Sequence, residues 1–532
     1  MTTQMWLQRA ALVAGAWGLM AGGPRLQAQG AAVAIAPASM AKIGTVSERF
    51  QSYNIEMVEV TGGRFWKPYG STGPSDAAAA KAGDSNHPNG IDPGLFEYRA
   101  PINLGDPQLR RLAAALGPAY VRVSGTWQNT TYFQDDDKAA GAPPKGYNGV
   151  LTRAEWKGVI DFAKATDAEI VTSVPTSAGT RDAEGVWQPA EAKTFLAYTK
   201  AAGGKIAAAE YMNEPTMPSA AGAPADYDAA AFGRDVKVFV TLMRAESPQT
   251  VLLGPGGVGE GQSMLPGNMK VLTSDAMMAA TGPVFDAFSY HFYGGVSARC
   301  AGVFPGAEGT TESAALSEEW LARTGKSEAF YARVRDHYEP GRPMWLTETA
   351  QTACGGDKWA ATFADSFRYL NQLGALAQLG VQVVMHNTLA ASDYALLDTK
   401  TLRPRPDYWA ALLWRKTMGT TVLTPGVAEG GGLHVYAHCL RDSAGGVALL
   451  AINASHSATQ TLDVPVSYER YTLSAATLDA GDVMLNGAAL QLGSDGSLPK
   501  LRGARHAKGA VTLQPETITF VAMPKAEAAA CR

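Results

Sequence analysis

Two carboxylates stand out, each closing an apolar run that reads as a β-strand. Glu214 follows Asn213 in "AAAEYMNEPTMP" (207–218), just before Pro215, and Glu348 ends "PMWLTET" (343–349). Two carboxyl groups that face one cleft are the equipment of glycoside cleavage. One protonates the leaving oxygen while the other attacks the anomeric carbon at a spacing of about 5 Å, or activates a water when the gap is about 6.5–9.5 Å. Asn213 would add an amide for the sugar hydroxyl beside the reacting carbon, a contact that strengthens in the transition state. A plainer reading takes "NEP" as chance turn chemistry and Glu348 as a surface cap of the next helix. Gly355 and Gly356, shortly after Glu348, could offer backbone N–H groups to an anion, a grip that an acidic sugar requires.

The elements between these residues decide whether they can meet. Strand-like runs occupy 52–60, 119–125, 169–176, 207–213, 250–256, 285–293, 343–349 and 381–388, several of them apolar on both faces as parallel strands buried from both sides must be. Helical spacing fills the gaps at 106–116, 152–166, 189–203, 227–246, 317–338 and 357–380. Asp106 with Pro107 and Thr152 with Glu155 supply helix starts, and Gly203 and Gly380 supply stops. The α/β alternation predicts a (β/α)8 TIM barrel over 51–418, with Glu214 ending the fourth strand and Glu348 the seventh, across the barrel mouth from each other. An open doubly wound sheet is the alternative, but no GxGxxG follows the first strand. After about residue 420 short alternating runs separated by turn residues predict a C-terminal antiparallel β-sandwich domain over 419–532.

Nearly half of the 532 residues are hydrophobic and the formal charge is −4, which favours a well-buried globular chain and offers nucleic acid or an anionic membrane no global attraction. Residues 1–28 have the layout of a signal peptide: Arg9, an apolar run from Ala10 too short to span a bilayer, and a cleavage site after Ala28. A secreted or periplasmic protein is expected, without membrane insertion. Four cysteines, Cys300, Cys354, Cys439 and Cys531, lack metal-ligand spacing, so no metal is expected, and three pairings or free thiols stay open.

"PAYVRVSGTWQNTTYF" (118–133), "YMNEP" (211–215), "MWLTETAQTACGG" (344–356), the specific run 392–423, "HVYAHC" (434–439) and "PKAEAAACR" (524–532) together resemble glycoside hydrolase family 79, the heparanase and β-glucuronidase family. The resemblance implies Glu214 as acid/base and Glu348 as nucleophile. It also implies substrate contacts at Glu56 and Thr126, a grip on the glucuronate carboxylate by Gly355, Gly356 and Tyr394, and a Cys439–Cys531 disulfide that leaves Cys300 with Cys354. His291 and Tyr293 in "SYHFYGG" compete as the residue that steadies the nucleophile. The sequence departs from the family where "VSGTW" replaces a double glycine and where "CGGD" shortens a glycine run. Only "QDDDKAAGAPPKGYNG" stands where a relative has an excised linker, implying a single-chain active enzyme. Residues 29–50 are expected to join the sandwich.

The chemistry then expected is a retaining β-glucuronidase without cofactor, exo-acting on a glucuronic-acid glycoside or oligosaccharide. The mildly acidic balance, with "PKLRGARHAK" (499–508) as the one dense basic stretch and that read as a solvated loop, argues against sulfated chains. Endo cleavage of heparan-like polysaccharide is the alternative, and a carbohydrate-binding pseudoenzyme is the alternative of another class.

Overall fold

The computed structural model describes residues 32–71, 92–261, 270–304, 309–428 and 430–532, so the expected leader, 1–28, lies outside the described residues. Each of the eight strand-like runs forms a strand: β1 Gln51–Glu56, β2 Ala119–Ser124, β3 Ala168–Ser173, β4 Ile206–Glu210, β5 Val251–Val258, β6 Ala287–Tyr293, β7 Met344–Ala350 and β8 Val383–His386. All pair in parallel and β8 returns to β1, closing the barrel.

A helix follows each strand: α1 Pro107–Leu116, α2 Arg153–Ala165, α3 Ala190–Ala201, α4 Ala229–Glu246, α5 Ser274–Thr281, α6 Arg323–Tyr338, α7 Phe363–Gln378 and α8 Pro406–Thr417. Asp106 accepts from the Gln108 and Leu109 N–H groups ahead of Pro107, and Thr152 and Glu155 form a reciprocal capping box. Inside the barrel an apolar cluster of Val171, Ala208, Leu253, Ala287, Trp345, Val383 and Met385 packs apart from the main core. It supports the polar residues gathered at the strand ends, the arrangement that puts a barrel's chemistry on its C-terminal face.

The first strand is shorter than the expected 52–60, because Met57–Thr61 turns into a short helix. Glu59 Oε2 accepts from the Glu56 N–H at 2.8 Å, so the chain bends directly after Glu56 instead of extending. The segment 317–338 likewise splits into Glu318–Leu321 and α6. The helices α5 and α8 had no counterpart among the expected helical runs. One spans only eight residues and the other opens on a proline in a segment dense with Arg and Pro.

The C-terminal strand β9, Met418–Leu423, starts directly where α8 stops. With β10 Leu433–Leu440, β11 Val447–Asn453, β12 Gln460–Val464, β13 Tyr468–Ser474, β14 Gly509–Leu513 and β15 Thr517–Met523 it builds two sheets. In the larger, Lys42–Thr45, β9, β10, β11, β15 and β13 lie side by side and antiparallel. In the smaller, β12 pairs antiparallel with β14 and parallel with Val33–Ala34. One apolar core, including Val435, Leu449, Leu462, Val511 and Val521, draws on both. Cys439 and Cys531 are joined by a disulfide, as are Cys300 and Cys354. No helix among the described residues is long and apolar enough to cross a membrane.

Helix α7 lies between barrel and sheet, which explains why nearly all its residues are buried. Tyr436 of β10 donates to Asn371 Oδ1 at 2.6 Å, and its ring crosses the helix at Gly374. A Cβ on residue 374 would lie 2.3 Å from that ring. Alanine is worth about 1 kcal/mol more than glycine in a helix interior, yet Gly374→Ala is expected to destabilise by about 1–3 kcal/mol through overpacking. A thermal melt reads the sign, and an unchanged or raised Tm would show that the ring yields freely.

Candidate active site

Glu214 and Glu348 meet at the barrel mouth. One carboxylate oxygen of each, with a ring nitrogen of His291, lies within 4.8 Å of the others. Glu348 belongs to β7 and is 5 % exposed. Its Oε1 accepts from the Tyr293 hydroxyl at 2.6 Å and its Oε2 from Arg122 Nη1 at 2.8 Å, so both oxygens face donors. Glu214 stands past the end of β4 with φ +49, a left-handed conformation uncommon outside glycine. Asn129 holds the chain there by accepting from the Asn213 N–H and donating to the Asn213 carbonyl, each at 3.0 Å. Glu214 Oε1 meets His291 Nδ1 at 3.0 Å.

Burial lifts the Glu214 carboxyl above its ordinary range, and the charge of Glu348 adds to this, while the His291 bond opposes it. The lift favours the protonated form that a general acid needs.

Arg122 underlies the pair. Its side chain is 1 % exposed, and its guanidinium reaches Glu210 Oε2 at 2.8 Å, Glu348 Oε2 at 2.8 Å and Asn213 Oδ1 at 2.7 Å. Burial alone would lower its proton affinity, but Glu210 and Glu348 reverse that and raise it. Burial likewise works against the Glu210 charge, yet Arg122 first and then His291 hold that carboxyl below its usual range. Because Asn213 gives its oxygen to Arg122, its Nδ2 is left for the cleft, where Thr126 Oγ1 lies 3.4 Å away.

A second cluster surrounds Glu56 at the end of β1. Asn387, just beyond β8, places its Nδ2 at 3.1 Å from Glu56 Oε1, the Tyr293 hydroxyl and the Tyr394 hydroxyl. Burial, reinforced by the charge of Glu348 and opposed by Arg122, pushes Glu56 well above the usual carboxyl range. Burial also raises Glu59 to about 7, against the pull of Arg99. Gly125 in "VSGTW" has φ +91, and a Cβ there would stand 1.5 Å from Glu56 Oε2. This one glycine is therefore required by the carboxylate next to it. Tyr394 stacks on Tyr293 at 6.4 Å between centroids and packs its backbone against Gly356. Gly355 and Gly356 are buried with φ +83 and +85, and among the described residues neither N–H meets an acceptor.

The structure thus brings all ten expected site residues to one end of the barrel. It separates His291 from Tyr293: the tyrosine bonds Glu348, and the histidine lies nearer Glu214 than the 3.8 Å at which it approaches Glu348. Arg122, Glu210 and Asn387 had not been expected. The signal for the first two was a charged residue inside an apolar strand, at "YVRVS" and "AAAEY"; Asn387 carried none. Among the described residues Glu214, His291 and Glu348 form the one cluster with metal-ligand potential. A divalent ion there would face the Arg122 guanidinium, which already occupies Glu348 Oε2.

A model of the N-terminal domain of glycosyl hydrolase family 79 matches residues 101–374. The chain is 25 % identical to heparanase-like protein 2 of Arabidopsis thaliana, over 81 % of this chain and 87 % of that one. It is 28 % identical to heparanase of Mus musculus, over 80 % and 88 %. With the baicalin-β-D-glucuronidase of Scutellaria baicalensis it shares 33 % identity over 34 % and 36 % of the two chains. Among solved structures, a 4-O-α-L-rhamnosyl-β-D-glucuronidase from Fusarium oxysporum shares the fold with a TM-score of 0.61 at 13 % identity, over 92 % of this chain and 99 % of that one.

Removing the buried cation would strip Glu210 and Glu348 of the guanidinium that they share. Arg122→Met is therefore expected to cost about 3–5 kcal/mol of stability and to abolish turnover. Adding Glu210→Gln removes one stranded charge and should return part of the stability without the activity. Denaturant unfolding of both variants checks this, and a stable, active Arg122→Met protein would contradict it.

Proposed function

Because the chain belongs to glycosyl hydrolase family 79, we propose that this glycosidase is a retaining, exo-acting β-glucuronidase that releases terminal β-linked glucuronic acid from glycans or glucuronides. The spacing of the carboxyl pair carries the reading: one oxygen of each lies within 4.8 Å of the other, near the about 5 Å of a retaining pair and short of the about 6.5–9.5 Å that makes room for water in an inverting reaction. Glu348 attacks the anomeric carbon while protonated Glu214 donates its proton to the departing oxygen. In the second half Glu214, now ionised, takes a proton from water. That water attacks the anomeric carbon and the bond to Glu348 breaks. When Glu348 becomes an ester its negative charge is gone and one cause of the raised Glu214 proton affinity goes with it. The acid of the first step is thereby suited to be the base of the second.

Recognition follows the same geometry. Asn213 Nδ2 serves the hydroxyl beside the reacting carbon, with Thr126 near it. Glu56 serves more distant hydroxyls, His291 orients Glu214, and Tyr293 steadies Glu348. The free N–H groups of Gly355 and Gly356 and the Tyr394 hydroxyl take the uronate carboxylate. Two arginines near that corner are engaged elsewhere: Arg299 with Asp393, and Arg405 with the Ser392 and Asp393 carbonyls. This supports action on unsulfated chain ends, since sulfate binding requires uncommitted cations. Similarity to heparanase over most of both chains favours a second reading, internal cleavage of heparan-like polysaccharide. Two disulfides support export to an oxidising compartment.

Product analysis on uronic-acid oligosaccharides separates the readings. Glucuronic acid as the sole early product, released first as the β-anomer, is expected, whereas oligosaccharide fragments would overturn exo action and an α-anomer would overturn retention. The pH profile adds a second check. Glu214 must be protonated to act as acid, so kcat/KM falls as pH rises through its raised value, and Glu214→Gln should remove that alkaline limb.

A further inference from the structure

We infer that Arg299, held by Asp393, is a positioning residue that sets selectivity for acidic sugars by fixing the backbone of Gly355 and Gly356. The inference rests on the reading of that corner as the uronate site. Cys354, Gly355 and Gly356 have φ values of 64, 83 and 85, a left-handed run that is uncommon only at Cys354, while the two glycines adopt many conformations freely and are fixed only by their partners. The support comes through the carbonyls. Gly355 O accepts from Ser392 Oγ at 2.9 Å and from the Asp393 N–H at 3.2 Å. Gly356 O accepts from Ser297 Oγ at 2.9 Å and from Arg299 Nη2 at 3.2 Å. With both carbonyls anchored, the two N–H groups are the unengaged side of the turn.

Arg299 joins four loops at this point. Its Nη2 donates to Asp393 Oδ2 at 2.6 Å and its Nη1 to the Lys67 carbonyl, while the guanidinium lies 3.9 Å from the centre of the Tyr69 ring. The Tyr69 N–H donates to the same Asp393 oxygen at 3.1 Å, and the Tyr69 hydroxyl meets Ser297 Oγ at 2.9 Å. The segments after β1, β6, β7 and β8 are thus tied to one guanidinium. The Cys300–Cys354 disulfide fastens two of them a second time. The pair is sheltered, at 7 % and 12 % side-chain exposure, so its bonds are little screened. Both terminal nitrogens of Arg299 have partners and its Nε is buried, so it acts on the substrate through Gly356 rather than by contact. Nothing in this network touches Glu214 or Glu348, so loosening it should harm carboxylate binding and leave bond cleavage intact.

The test compares an aryl β-glucuronide with the matching aryl β-glucoside on Arg299→Met, Arg299→Lys and Asp393→Asn proteins, with Tm measured alongside. Losing a charged hydrogen bond should lower kcat/KM for the glucuronide about 10- to 100-fold, chiefly through KM, and leave the glucoside nearly unchanged. Arg299→Lys should recover part of the selectivity by restoring one bond. Equal losses on both substrates at an unchanged Tm would overturn the inference. If Arg299→Met fails to fold, full selectivity in Asp393→Asn would overturn it equally. A wild-type protein without preference for the glucuronide would remove the uronate site itself, and this inference with it.

Discussion

A single guanidinium makes the site possible. Two carboxyl groups share a small buried space only if a cation compensates a charge or one of them takes a proton, because each buried charge is costly alone. Arg122 supplies that cation from the adjoining half of the barrel. It also acts as a ruler: by reaching Glu348, Glu210 and Asn213 at once it sets where three strand ends stand relative to each other. Glu214, which it does not bond, is the carboxyl that burial and the charge of Glu348 drive toward protonation. In the proposed mechanism the difference between acid and nucleophile therefore arises from which of the two side chains the arginine reaches.

The fold serves this arrangement by layering. Apolar side chains fill the interior below, so the polar network above has rigid strand ends to stand on. The loops then specialise. The β1 and β8 ends bring Glu56, Asn387 and Tyr394 together, and the β6 and β7 loops, stapled by Cys300–Cys354, carry the glycine pair. On the flank of the barrel α7 is packed on both faces, which couples the C-terminal sheets to the helix that follows β7.

Much of this could be read from residues alone. All eight barrel strands were legible because short strand-like runs, several of them apolar on both faces as buried parallel strands are, alternate with segments of helical spacing. Glu214 and Glu348 were legible because a carboxylate that ends such a run is conspicuous. Arg122 was not, since its meaning lies in Glu210 and Glu348, 88 and 226 residues away. Local pattern carries no trace of such a partner. Nor could spacing decide between His291 and Tyr293, which differ by two positions on one strand and so point the same way. Only the distances of 2.6 Å from Tyr293 to Glu348 and 3.0 Å from His291 to Glu214 assign them. The bend after Glu56 was hidden for a similar reason, since "EMVEV" alternates like a strand and turns because Glu59 reaches back to the chain.

The central claim is that Glu348 forms a bond to the sugar. Incubation with a 2-deoxy-2-fluoro-β-glucuronyl fluoride, followed by proteolysis and mass spectrometry, tests it most directly. A fluoroglucuronyl adduct on the peptide that contains Glu348, absent from a Glu348→Gln protein, is the predicted result. An adduct on another carboxylate, or continued turnover of the reagent with no adduct at any point, would contradict the account.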